Sequence, residues 1–169
     1  VISFNQGDGI KGNGAQTFTD VDIEGNVGNG IDSNEDKTYT NVNIINNTLD
    51  GISGVGNTNF ENIVVSNNGD NGISAAGNMN FNKVELDGNG GYAISNYGSV
   101  SLNDVQITSN GGRGLQDFTQ LDANLVYVTG NQNGGLVGSG TVVLDSVYVV
   151  SNSTSSSGGG LSLNGDLTA

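Results

Sequence analysis

The sequence predicts an all-β fold, a single-domain parallel β-solenoid of about eight coils over residues 1–169, and three observations carry that reading. An asparagine recurs every 21 residues, at Asn5, Asn26, Asn47, Asn68, Asn89, Asn110, Asn131 and Asn152. Apolar columns keep the same step. Within each repeat apolar and polar residues alternate, as in Val21-Asp22-Ile23 and Val100-Ser101-Leu102. Strand side chains point alternately to two faces, so alternation marks one inward face, and a fixed period of this size marks stacked repeats. No segment holds a 3.6-residue period, and the 29 glycines oppose helix. Three short strands and three turns per coil fit the spacing.

Each coil opens on an aliphatic residue, in the series Ile10, Ile31, Ile52, Ile73, Ile94, Leu115 and Leu136. The series resumes at Leu161 after 25 residues, which places a four-residue insertion in the run 153–159. A small residue precedes each member, at Gly9, Gly30, Gly51, Gly72, Ala93, Gly114, Gly135 and Gly160, where a β-carbon would clash at a turn. A second small column, Gly14, Gly56, Gly77, Gly98, Gly140 and Gly165, marks another corner and is interrupted by Glu35 and Thr119. The column Gln16, Lys37, Thr58, Met79, Val100, Leu121, Val142 turns from polar to apolar, so the C-terminal half should have the better-packed core. An aromatic column begins Phe18, Tyr39, Phe60, Phe81. Two aliphatic columns start at Val21 and Ile23, and the asparagine follows three residues later.

Asparagine tolerates left-handed backbone, so the ladder residue itself is expected at a tight bend. Its amide both donates and accepts, so stacked amides can bond along the axis and the ladder reads as structural. Coils spaced about 4.8 Å apart would give a rod on the order of 40 Å long. Left-handed solenoids are usually built of six-residue units in 18-residue coils, so a 21-residue coil favours the right-handed form.

Composition narrows the function classes. Only 34% of residues are hydrophobic, and the net charge is −13, from 17 acids against 4 bases. Phosphate neutralisation needs cations, so no nucleic-acid partner is expected, nor docking on an anionic membrane. No stretch approaches the ~20 apolar residues of a membrane span, so no direct insertion is expected. Cys and His are absent, which removes disulfides and the usual zinc and nucleophile sets.

The unit Val65-x-x-Asn68-x-x-x-Gly72-Ile73 resembles the repeats of right-handed β-helix proteins of the pectate-lyase-like superfamily. Its spacing, together with Gly91-Tyr92-Ala93-Ile94, is also similar to the passenger repeats of polymorphic outer-membrane proteins. The resemblance spans nearly the whole chain and implies the architecture. It also raises polysaccharide lyase or hydrolase activity as an expectation to weigh.

No residue set distinguishes a catalytic centre. A lyase base would come from Lys11, Lys37, Lys83 or Arg113, with Lys11 and Lys37 on nearby coils and Lys83 beside Asp104 and Glu85. Alternating surface charge explains the same pattern. Carboxyl pairs suited to glycoside hydrolysis, such as Asp20 with Asp22, arise on any surface this acidic. Asp8, Asp50, Asp70 and Asp87 lie near turns and allow at most weak calcium binding, so no cofactor is expected. Tyr97 with Phe118, and Tyr127 with Tyr148, share columns and are candidate glycan contacts; cross-strand pairing is the plainer reading. Tyr92 and Arg113 are placed for a cation–π contact. Asn46-Asn47-Thr48 and Asn152-Ser153-Thr154 match the glycosylation sequon.

Neither end carries a cap. Val1-Ile2 falls in phase with Asp22-Ile23, and Leu167-Thr168-Ala169 with Val142-Val143-Leu144. Two readings follow: a segment of a longer solenoid, or copies stacked end to end through Val1, Ile2, Leu167 and Ala169. The preferred expectation is a non-enzymatic structural rod of a microbial surface filament, sheath or adhesin stalk, extracellular or at the cell surface. The alternatives are a carbohydrate-active or tailspike-like module, and a carbohydrate-binding module.

Overall fold

Among the described residues the coils bend at three recurring columns, and the residues at the bends set the layout. The computed structural model describes residues 1–154 and 159–169. After β1 (Ile2–Ser3), short strands alternate with long ones: β2 (Ile10–Asn13), β3 (Gln16–Glu24), β4 (Ile31–Asn34), β5 (Lys37–Ile45), β6 (Ile52–Val55), β7 (Thr58–Ser66), β8 (Ile73–Ala76), β9 (Met79–Asp87), β10 (Ile94–Asn96) and β11 (Ser99–Thr108). In β12 (Leu115–Thr129) and β13 (Leu136–Val150) the short and long segments run together, and β14 (Leu161–Asn164) and β15 (Leu167–Thr168) follow. All described pairings are parallel, and nearly all join residues 21 apart, such as Ile31↔Ile52 and Val42↔Ile63. The chain is a parallel β-solenoid of about eight turns.

Left-handed backbone marks two of the bends. One lies inside the long strands, at Asp20, Asn41, Asn62, Lys83, Asp104, Leu125 and Ser146, with φ between 53° and 56°. There the ladder skips a pair, as between Thr19↔Thr40 and Val21↔Val42, and the strand turns into a new leg. The other lies one residue before each ladder asparagine, at Phe4, Gly25, Asn46, Asn67, Gly88, Ser109, Gly130 and Ser151. This corrects the expectation that the ladder asparagine occupies the bend. The preceding residue takes the left-handed turn, and the turn swings the next side chain inward. The third bend is the second small column, with positive φ at Gly14, Gly56, Gly77 and Gly140; Glu35 adopts φ 88° in the same column.

The column beginning Gly9 and Gly30 is small for a different reason. A β-carbon on Gly51 would sit 2.6 Å from the Gly72 carbonyl oxygen and 2.6 Å from a Val65 methyl. Close approach rather than turn geometry excludes the side chain there. Inward residues of the three legs fill a continuous core. Phe18, Tyr39, Phe60 and Phe81 stack with ring centroids 5.1, 5.2 and 4.5 Å apart. Ile23, Ile44, Val65, Leu86, Ile107 and Val128 are fully buried beside them.

Among the described residues two departures break the repeat. Leu136 pairs with Leu161 and Val142 with Leu167, so four extra residues enter after Asn152. The 21-residue spacing places them within 153–159, of which 155–158 lie outside the described residues. The second is a β-bulge in β12: Gln116 pairs with Val137, yet Phe118 pairs with Gly138, and Asp117 adopts φ 65°.

Candidate functional surfaces

The asparagine ladder is complete across all eight coils. In each rung the Oδ1 of the later asparagine accepts two bonds from the earlier one, from its backbone N–H and from its Nδ2. Between Asn47 and Asn68 these measure 3.0 and 3.0 Å. The rungs at both ends are the same, Asn5 to Asn26 at 2.8 Å and Asn131 to Asn152 at 2.9 Å. Nδ2 also donates to a strand carbonyl 24 residues upstream, as from Asn68 to Ile44 and from Asn89 to Val65. Asn26, Asn47, Asn68, Asn89, Asn110 and Asn131 are buried, so each amide exchanges water for fixed partners.

Outward ladders run beside it, beyond the one ladder that the 21-residue spacing predicts. Asn41 donates to Asp20 and Asn62 to Asn41, both at 2.8 Å. On a second column Asn82 donates to Glu61, Asn103 to Asn82 and Asn124 to Asn103. The signal was present as columns of Asn, Asp and Glu at the 21-residue step, but it lay among exposed polar residues. Here the later coil donates to the earlier, the reverse of the inner ladder.

The basic residues are scattered. Lys11 is exposed and pairs with Asp32 at 2.6 Å and Asp8 at 3.5 Å, which raises its pKa. Lys37 is no surface neighbour of Lys11: it is 4% exposed, and its Nζ donates to the carbonyls of Glu35 (2.6 Å) and Val55 (2.7 Å). Desolvation lowers its pKa, against the opposing charges of Asp36 and Glu35. Lys83 lies with Glu85 and Asp104 along a shallow groove. Arg113 turns to the Gln116 side chain (2.7 Å) and the Asn133 carbonyl (3.3 Å).

The turn carboxylates hold backbone. Asp8 accepts from the Asn29 N–H, and Asp50 accepts from both the backbone and the side chain of Asn71. Burial raises the Asp50 pKa, opposed by the Asn71 bonds. Asp87 accepts from the Thr108 hydroxyl. Among the described residues no three carboxylates converge to hold a metal ion. Of the sequon asparagines, Asn46 is exposed and Asn152 half-buried in the ladder.

The aromatic candidates divide. Tyr127 and Tyr148 stack on the outer face, with centroids 4.8 Å apart and planes 7° apart. Tyr97 is 70% exposed, but Phe118 is fully buried. The expected surface pair of Tyr97 with Phe118 therefore does not form, and Phe118 offers no ring to a glycan. The physical reason is the bulge: the extra residue Asp117 shifts Phe118 by one place and turns it inward. Its ring packs where a Gly138 β-carbon would stand, 2.6 Å from that position. Asp117 takes the outer place beside Tyr97 and accepts a hydrogen bond from Gln116 Nε2 at 2.7 Å. Its negative charge raises the Tyr97 pKa.

At the ends, Val1 is 81% and Leu167 49% exposed, with Ala169 also exposed and Ile2 half-buried against Ile23. The β14 and β15 strands cover β13 at 136–139 and 142–143, and no described strand covers its last leg at 146–150. The fold and these surfaces define a repeat protein of the β-solenoid class. No protein-family model, curated protein or solved structure matches the chain.

Proposed function

We propose that the chain is a non-enzymatic extracellular structural protein, a β-helical rod of a microbial surface filament, sheath or adhesin stalk. The observation that supports this best is the unbroken inner ladder, which commits one amide per coil, six of the eight buried, to holding neighbours in register. A right-handed winding, and kinship with pectate-lyase-like and outer-membrane passenger repeats, belong to the same reading and rest on the 21-residue spacing.

End-to-end association completes the reading. The inner ladder is polar: each rung donates towards the C-terminus. Continued across a junction, the same rung would carry the Asn152 donors of one copy to Asn5 of the next. The uncovered last leg of β13 would receive Val1 and Ile2, with Ile2 over Val149 as it lies over Ile23 within the chain. Leu167 and Ala169 would flank that junction. The next coil of a longer chain would use the same edges, so the rod reading holds for either source. A head-to-tail contact of this kind does not close on itself.

Immunogold labelling of the source cells should place the protein along surface structures. Release of reducing ends or unsaturated uronides from a polysaccharide panel by the purified chain would overturn the non-enzymatic reading. Light scattering should show mass rising with concentration, and a monomer at every concentration would remove the stacking.

A further inference from the structure

We propose that the cleft opened by the Asp117 bulge binds an uncharged saccharide ring. The cleft holds about 410 Å³, within the range of small-molecule sites. It sits at the one stretch among the described strand pairs, 116–120, where the register shifts within a pair, and bulges re-aim side chains in this way. Tyr97 forms one wall. The polar lining is Asp117, Thr119, Ser139, Ser162 and Asn164, and the Gly138 backbone lies between them.

The chemistry of that lining matches a pyranose. A sugar ring has an apolar C–H face that lies on an aromatic ring, and an edge of hydroxyls that need partners on leaving water. Tyr97 offers the ring, and the carboxylate, hydroxyl and amide groups offer the partners. The wall is set in advance: Arg113 holds Gln116, Gln116 holds Asp117, and Tyr97 stands beside that carboxylate in the cleft. Preorganisation of this sort reduces the ordering cost of binding. Charge selects within the class. The chain carries −13 and Asp117 stands in the cleft, so uronate, sulfate and phosphate groups would be repelled. The proposal is independent of the rod reading and would give the rod a point of contact with a neutral glycan.

The cleft is open, so affinity near the millimolar range is expected, about −4 kcal/mol. The test is an amide-shift NMR titration of the full chain with cellobiose, maltose, xylobiose and chitobiose, with digalacturonate as the charged comparator. Saturable shifts at Tyr97, Asp117, Ser139 and Ser162 are expected with at least one uncharged sugar. Tyr97→Ala and Asp117→Asn should each weaken binding about tenfold or more, a loss of roughly 1.4 kcal/mol. Asparagine accepts the left-handed conformation at 117, so that variant keeps the bulge. Tyr148→Ala, on another face, should bind as the parent does. No saturable shift with any uncharged sugar, undiminished binding by both cleft variants, or preference for digalacturonate would each overturn the proposal.

Discussion

At the scale of the residue, the solenoid tolerates side chains that its own pattern disfavours. Lys37 stands in a column that otherwise runs to Met79 and Val100, with its ammonium held by two carbonyls and no carboxylate. Its folded pKa lies below the unfolded value of 10.5, so the unfolded chain binds more protons between the two. Stability should therefore rise with pH across that window, and the penalty is present in full below the folded pKa. Lys37→Met should remove this rise and add about 1–2 kcal/mol at neutral pH, read as urea midpoints of both proteins at pH 7 and pH 10. Leu125 is a second case. It is 43% exposed at φ 53°, where Asn41 and Asn62 occupy the same column. A left-handed β-carbon costs roughly 1–2 kcal/mol, so Leu125→Asn should raise the denaturation midpoint by about 1 kcal/mol equivalent. The Tyr39 hydroxyl and both amide atoms of Asn96 are buried without a partner among the described residues. The sequence marked neither position, because burial of a polar atom depends on what the neighbouring coils bring.

At the scale of the element, the ladder is the strongest single device. Asn68→Ala would leave the buried Asn47 backbone N–H without its acceptor, reduce the Asn47 Nδ2 to its 3.4 Å bond with the Ile23 carbonyl, and take one donor from the Ile44 carbonyl. Leaving such groups unsatisfied costs roughly 1–3 kcal/mol each, so a loss of about 3 kcal/mol is expected by chemical denaturation. Asn5→Ala, at the exposed end, should cost under about 1 kcal/mol. The ladder and the three legs were legible because period 21 and period 2 are both visible in the residues. The site of the bend was not. Asparagine suits a left-handed bend, but the bend falls on residues as unlike as Phe4, Gly25 and Ser109. What repeats there is a backbone angle, not a side chain. The same limit hid the cleft: strict counting put Tyr97 beside Phe118, and a one-residue bulge reversed the direction of everything from Asp117 to Thr119.

At the scale of the whole molecule, each coil contacts only its neighbours, so stability adds up along one dimension. Duplicating residues 47–67 inserts one full coil in phase. The ninth coil should fold with the others and raise the denaturant slope by about an eighth, since the slope follows buried surface. Duplicating 20 residues instead leaves one coil a residue short, which displaces its inward side chains locally, and should lower the denaturation midpoint relative to the 21-residue duplication. Urea titration and circular dichroism of the two proteins would check both outcomes. The 21-residue step thus makes length a countable quantity. A gene that gains or loses whole repeats lengthens or shortens the protein in increments of one sheet spacing and leaves its girth unchanged. On the rod function proposed above, such a chain would act as a ruler whose reach is set by its number of repeats.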